Sequence, residues 1–186
     1  MTALRGIFVV VPITGALGER IADIQRANDP RLAKIWAPHF TLLGSSGVGP
    51  ILPHHTPAQL RAALAPVAQA TPPLTLPFGA PERFTGRDIV VLPLDPHGPL
   101  RQLHDRLRDA LSAAGVQTYA ARFPFTPHVT LTMYPPLTRA REQRLLALRI
   151  EEPLPIDRLS VVLTQEPQAP RELLTLPLGS AATSGD

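Results

Sequence analysis

Two histidines stand in nearly the same pentapeptide, Pro38-His39-Phe40-Thr41-Leu42 and Pro127-His128-Val129-Thr130-Leu131. Four of the five positions agree in a chain that holds six histidines, so chance accounts poorly for the match. If each segment is a strand, side-chain alternation puts His39 and Thr41 on one face and Phe40 and Leu42 on the other. His128 and Thr130 divide in the same way from Val129 and Leu131. The apolar pairs suit a core and the polar pairs a solvated groove. Two such polar faces meeting across one cleft would set two imidazoles and two hydroxyls around a single ligand atom. An imidazole titrates at about 6.5, so one ring can be neutral while its twin is charged. The neutral ring would take a proton from an attacking water and the charged ring would give one to a leaving oxygen, a contribution of about 10²–10⁴-fold. The hydroxyls would donate to the non-bridging oxygens of a phosphate. This is phosphoryl chemistry without a metal. The near-symmetry of the motifs leaves open which histidine is acid and which is base.

The elements that must carry these residues are legible in the surrounding pattern. Ile7 to Ile13 is brief, apolar and β-branched and predicts a buried first strand. Gly15 to Ala27 has helical spacing at Leu17, Ile21 and Ile24, and Asn28, Asp29 and Pro30 end it. A short helix is expected over Arg31 to Trp36, then a strand from His39 to Leu43 and a loop with three glycines from Gly44 to Pro53. Thr56-Pro57 opens a helix reaching Gln69. Strands follow at Leu74 to Phe78 and Asp88 to Leu94 around a turn at Gly86. Pro99 to Ala114 is the strongest helix, with Leu100, Leu103, Leu107 and Leu111 in register and Gly115 as its stop. The second motif reads as a strand from His128 to Met133. Thr138 to Ile150 reads as a helix, and Asp157 to Thr164 and Arg171 to Leu178 as closing strands. A frayed tail is expected over residues 179–186.

The order of elements repeats. Val9-Val10-Val11-Pro12-Ile13 matches Val90-Val91-Leu92-Pro93-Leu94, Gly15-Ala16-Leu17 matches Gly98-Pro99-Leu100, and the pentapeptides match each other. The offset drifts from 81 to 89 residues along these pairs, as two diverged copies of one lobe would show.

The paired motifs PHFTL and PHVTL resemble the two His-x-Thr-x signatures of the 2H phosphoesterase superfamily, within it the 2′-5′ RNA ligase / RNA 2′,3′-cyclic phosphodiesterase-like group. The resemblance spans Ile7 to Leu178. It implies an α+β, bilobal, pseudo-duplicated fold in which two antiparallel sheets line a central groove with helices outside. It implies one domain over residues 1–186 with interleaved lobes, the first motif at 38–42 and the second at 127–131. It also implies a hydrolase that opens 2′,3′-cyclic or 2′-5′ phosphodiesters without a metal. Carried over residue by residue, His39, Thr41, His128 and Thr130 become the catalytic set. The partner implied is an RNA end, an oligonucleotide or a nucleotide. A nucleotide-sugar cyclic phosphate is an alternative substrate, and a binding module without turnover an alternative class.

Around this set, Arg122 is a candidate phosphate contact. Tyr134 and Trp36 are candidates for stacking on a base. Phe123 and Phe125 read as core. His54 and His55 are adjacent with no acid nearby, a weak metal pattern, so no metal or other cofactor is expected. His97 and His104 read as surface residues of the strong helix, whose Arg101, Arg106 and Arg108 are offset by Asp105 and Asp109.

Composition narrows the rest. Hydrophobic residues make up 44% of the 186, enough for a real core. The net charge of +3 is too small to argue for nucleic acid by itself. There is no cysteine, which excludes thiolate metal sites, disulfides and cysteine nucleophiles. No apolar run reaches the roughly 18 residues of a membrane span, and Gly6 to Ile13 reads as a strand rather than a signal peptide. A cytoplasmic monomer is expected, and no Gly-rich nucleotide loop is present.

Overall fold

The structure, a computed structural model, describes residues 5–165 and 168–179. Six consecutive positions of the first strand, β1 (Arg5–Pro12), are buried, because the strand lies between neighbours with both faces covered. Gly15, at φ +68, lets the chain turn into α1 (Gly15–Asn28), which buries Gly18, Ile21 and Gln25. Asp29 then caps α2 (Pro30–Ile35) by accepting the Leu32 N–H at 2.9 Å. The first motif is β2 (His39–Leu43). Helix α3 (Pro57–Gln69) opens on a capping box between Thr56 and Gln59. The short strands β3 (Leu74–Leu76) and β4 (Glu82–Arg83) precede β5 (Val90–Pro93). Helix α4 (Gly98–Ala113) buries Leu100, Leu103, His104, Leu107 and Leu111. The second motif is β6 (His128–Thr132). It is followed by α5 (Arg139–Leu146), β7 (Leu154–Ile156), β8 (Arg158–Gln165) and β9 (Arg171–Pro177).

The strands form a seven-stranded antiparallel sheet in the order β4-β5-β6-β2-β1-β8-β9, and a two-stranded antiparallel sheet, β3-β7. The large sheet has two parts, one built on β5 and β6 and the other on β1 and β2. They meet at a seam where Phe40 opposite Val129 is the one pair in register. On the two sides of this seam the duplication is visible in the register. Val10, Val11 and Pro12 pair with Thr41, Phe40 and His39, and Val91, Leu92 and Pro93 pair with Thr130, Val129 and His128. Each ladder shifts register at the same place, between Val9 and Val10 and between Val90 and Val91. The Ile13 N–H donates to Pro38 O at 2.9 Å, and its counterpart Leu94 N–H to Pro127 O at 3.0 Å. The halves are interleaved: β4 pairs with β5 of the second half, while β8 pairs with β1 of the first.

Phe40, Leu42, Val129 and Leu131 are fully buried in the main core with the inner faces of α1, α3 and α4. Burying a side chain of this size stabilises the fold by about 1.5–3 kcal/mol. A smaller cluster of Phe8, Val10, Leu32, Trp36 and Val162 lies apart from that core.

Several expectations change. The predicted Thr138–Ile150 helix stops at Leu146, where the Leu148 N–H closes a tighter turn back on Leu145 O. Leu146, Leu148 and Ile150 still pack on the core. Of the predicted Leu74–Phe78 strand, only Phe78 pairs across the Gly86 turn, in a single antiparallel bridge with Leu94. Leu74–Leu76 joins β7, a strand too short to stand out, and the Gly86 turn links β4 to β5. Phe123 is exposed, whereas Phe125 is core as expected. His104 is buried rather than on the surface. Gly179 is held by donating to Ala68 O and Thr71 O, so the chain is not frayed at that residue. The remainder of the expected frayed tail lies outside the described residues.

Candidate active site

Around the Phe40–Val129 pair, antiparallel register sets His39 across from Thr130 and Thr41 across from His128. In such a pair directly opposed Cβ atoms are about 4.5–5.5 Å apart and diagonal neighbours about 7–8 Å. The two histidines take the diagonal and the threonines close the square. All four side chains are half-buried and line one cleft of about 780 Å³.

Each imidazole is held the same way. His39 Nδ1 lies 2.8 Å from Ala37 O, and His128 Nδ1 lies 2.7 Å from Thr126 O. A backbone carbonyl only accepts, so Nδ1 carries the hydrogen on both rings and a neutral ring keeps its lone pair on Nε2. Burial pushes the His39 pKa down to about 4, the Ala37 carbonyl opposes this, and the nearby charge of His128 lowers it further. Burial also lowers the His128 pKa, against the opposing bond to Thr126. Without a ligand both rings are therefore neutral near pH 7.

The cleft does not share the symmetry of its motifs. On the side of β1 and α2 its wall is apolar, made by Phe8, Leu32, Trp36 and Met133. The Trp36 ring is only 8% exposed and lies 4.5 Å from the His39 ring. Toward the start of β6 the wall carries Ser45, Ser46 and Thr126, with Phe123 standing 58% exposed at the rim. Ser46 Oγ accepts the Thr126 N–H at 3.0 Å and Phe123 O accepts the Gly47 N–H at 2.9 Å, which join the loops after β2 and before β6. The β4–β5 turn supplies Phe84, whose ring meets His128 edge-on at 4.9 Å.

Of the sequence-predicted residues, His39, Thr41, His128, Thr130 and Trp36 line the cleft. Arg122 is exposed and lies outside the lining. Tyr134 also lies outside it, with the Arg31 guanidinium 4.1 Å over its ring. The strand stops short of Tyr134 because Asp29 Oδ2 accepts the Met133 and Tyr134 N–H groups at 2.8 and 2.9 Å.

Sequence reasoning missed the residues that hold the seam. Gln25 Nε2 donates to Thr130 O at 2.8 Å from α1, and His104 Nδ1 donates to Leu42 O at 2.8 Å from α4. Each helix thus secures a carbonyl on the other half's histidine strand, where cross-strand pairing is reduced to one pair. His104 also stacks on Phe125, with ring centroids 3.9 Å apart. The only hint in the sequence is a polar residue on the buried stripe of an amphipathic helix. Arg87 and Phe84 were also missed. Among the described residues, no group of three or more His, Cys, Asp or Glu side chains gathers as a metal site. No described helix is long and apolar enough to cross a membrane.

Solved structures share this fold. TT0787 of Thermus thermophilus aligns with a TM-score of 0.65 and 16% identity, over 95% of this chain and 99% of that one. A protein described as a phosphoesterase aligns at 0.60 and 19%, over 95% and 99%. Escherichia coli LigT in complex with 3′-AMP aligns at 0.56 and 17%, over 94% and 98%. No curated protein sequence matches the chain. Residues 14–168, which include both histidine strands, match the sequence model of the 2′-5′ RNA ligase superfamily. The chain therefore belongs to that superfamily, within the 2H phosphoesterases.

Proposed function

We propose that the protein is a metal-independent phosphodiesterase that opens the 2′,3′-cyclic phosphate of an RNA end or ribonucleotide. The observation that supports it most is the meeting of both His/Thr faces in one cleft, with each Nδ1 committed to a backbone carbonyl. One neutral Nε2 accepts a proton from water as the water oxygen bonds to phosphorus. The other imidazole, protonated, donates from Nε2 to the ribose oxygen as its bond to phosphorus breaks. The bound phosphate supplies the negative charge that raises an imidazole pKa from its depressed value in the free protein. Thr41 and Thr130 donate to the non-bridging oxygens. A nucleotide substrate is supported by LigT, whose solved structures include complexes with 3′-AMP, NADP+ and ATP. The family description also favours a 2′-5′ phosphodiester as a second substrate for the same groups.

The test is turnover of a 2′,3′-cyclic-phosphate-ended oligoribonucleotide in excess EDTA by wild type, His39→Ala and His128→Ala. The expected result is a terminal monophosphate from wild type and a loss of at least about 10²-fold in each variant. Near-normal turnover in either variant, or loss with EDTA that a divalent metal restores, would overturn the mechanism.

A further inference from the structure

The β4–β5 turn crosses the cleft beside His128 and brings a charge that the proposed hydrolysis does not use. Among the described lining residues Arg87 is the one lysine or arginine, and Asp88 the one carboxylate. Asp88 is already engaged by Arg83, at 2.9 Å. The Arg83 guanidinium also donates to Arg87 O at 2.8 Å and reaches Glu142 of α5 at 3.3 Å, bracing the turn from below. The Arg87 N–H donates to Phe84 O at 3.0 Å, and Gly86 takes φ +70 with open space at its Cβ position. The turn is thus shaped by its backbone and by Arg83, while the Arg87 side chain stands exposed at the cleft, with no ion pair to any described carboxylate. The phosphate held between the histidines is served by the two imidazoles and two hydroxyls. The volume of about 780 Å³ lies in the upper part of the roughly 300–1,000 Å³ range of small-molecule pockets. In the same cleft, the Phe84 and Phe123 rings offer flat apolar surface of the kind on which nucleobases stack.

We propose that Arg87 is a specificity-determining residue that pairs with a second phosphate, one linkage away from the reacting one. The preferred substrate is then an oligonucleotide end rather than a lone nucleotide. This rests on the phosphodiesterase reading for its catalytic readout, and a guanidinium suits a phosphate through charge-assisted, bidentate hydrogen bonds.

The experiment compares adenosine 2′,3′-cyclic phosphate with the dinucleotide ApA ending in the same cyclic phosphate, on wild type and Arg87→Gln at low ionic strength. The expected result is that kcat/KM falls about tenfold more for the dinucleotide than for the mononucleotide, and that raising salt narrows the difference. In parallel, the fluorescence of Trp36, the only tryptophan and a cleft residue, is titrated with adenosine 3′-phosphate and with ApA 3′-phosphate. The variant should weaken the second ligand about tenfold more than the first. Equal effects on both ligands, or none, would overturn the proposal. Wild type that binds with this discrimination yet turns over neither cyclic phosphate would refute the hydrolase reading and leave the role of Arg87 standing.

Discussion

Phe40 and Val129 face each other in the one registered pair between the two histidine strands, and both are fully buried. The spacing of the proposed acid and base is therefore fixed from the core side by two apolar residues.

Both histidines have lowered pKa values in the free protein, with His39 at about 4. The proposed mechanism needs one proton shared across the pair, so the active form is most populated on the acid side of 6.5. Since kcat/KM reports the free enzyme and kcat the complex, kcat/KM should peak below pH 6.5 and kcat at a higher pH. Rate profiles on a cyclic-phosphate substrate test this, and a kcat/KM that climbs through pH 8 contradicts it.

Stability should follow the same group. Unfolded, His39 titrates near 6.5, and folded at about 4. Between these values the unfolded chain binds more protons, so stability falls as pH drops from about 6.5 toward 4. His39→Gln cannot titrate and should flatten part of that slope. Urea midpoints of both proteins at pH 7 and pH 4.5 measure it, and parallel losses would exclude His39 as a source.

Asp29 is fully buried and its carboxylate accepts backbone N–H groups from Leu32, Met133 and Tyr134. Asp29→Ala strips three donors of their acceptor, at about 1–3 kcal/mol for each that stays unsatisfied. We expect a loss of about 3–5 kcal/mol in urea unfolding. A loss under about 1 kcal/mol would mean that water replaces the carboxylate.

Gly47 has φ +70, and a Cβ there would lie 2.5 Å from His104 Nε2 and 3.0 Å from the Phe125 Cβ. Gly47→Ala should cost about 1–3 kcal/mol from backbone strain alone, and should weaken substrate binding by shifting Ser46 and Phe123. Thermal unfolding paired with KM tests both, and a neutral variant would show that the loop relaxes freely.

The histidine strands were legible because their alternation places a chemical face opposite an apolar one, and because two copies corroborate each other. The long helices were legible from periodicity and caps, as with Leu100 to Leu111 and Thr56-Pro57. Residues that act across the duplication were not. Gln25 and His104 look like ordinary helix positions until the fold brings them against Thr130 O and Leu42 O. Arg87 becomes notable only when the β4–β5 turn curls over His128, whereas Arg122, nearer the motif in sequence, falls outside the cleft. Strands β4 and β7, of two and three residues, take their form from their partners rather than from local propensity.

The interleaving of the halves also dictates when the protein can fold. Strands β1 and β8 stand far apart in the chain, yet they pair Arg5 with Gln165 and Val9 with Val161. Until β8 is in place, the apolar run Ile7 to Val11 keeps one edge open, a template for mispairing with other unfolded chains. Closing so distant a contact is entropically slow. A chain truncated before β8 would therefore leave β1, the strand that pairs with the first histidine strand, as an open edge.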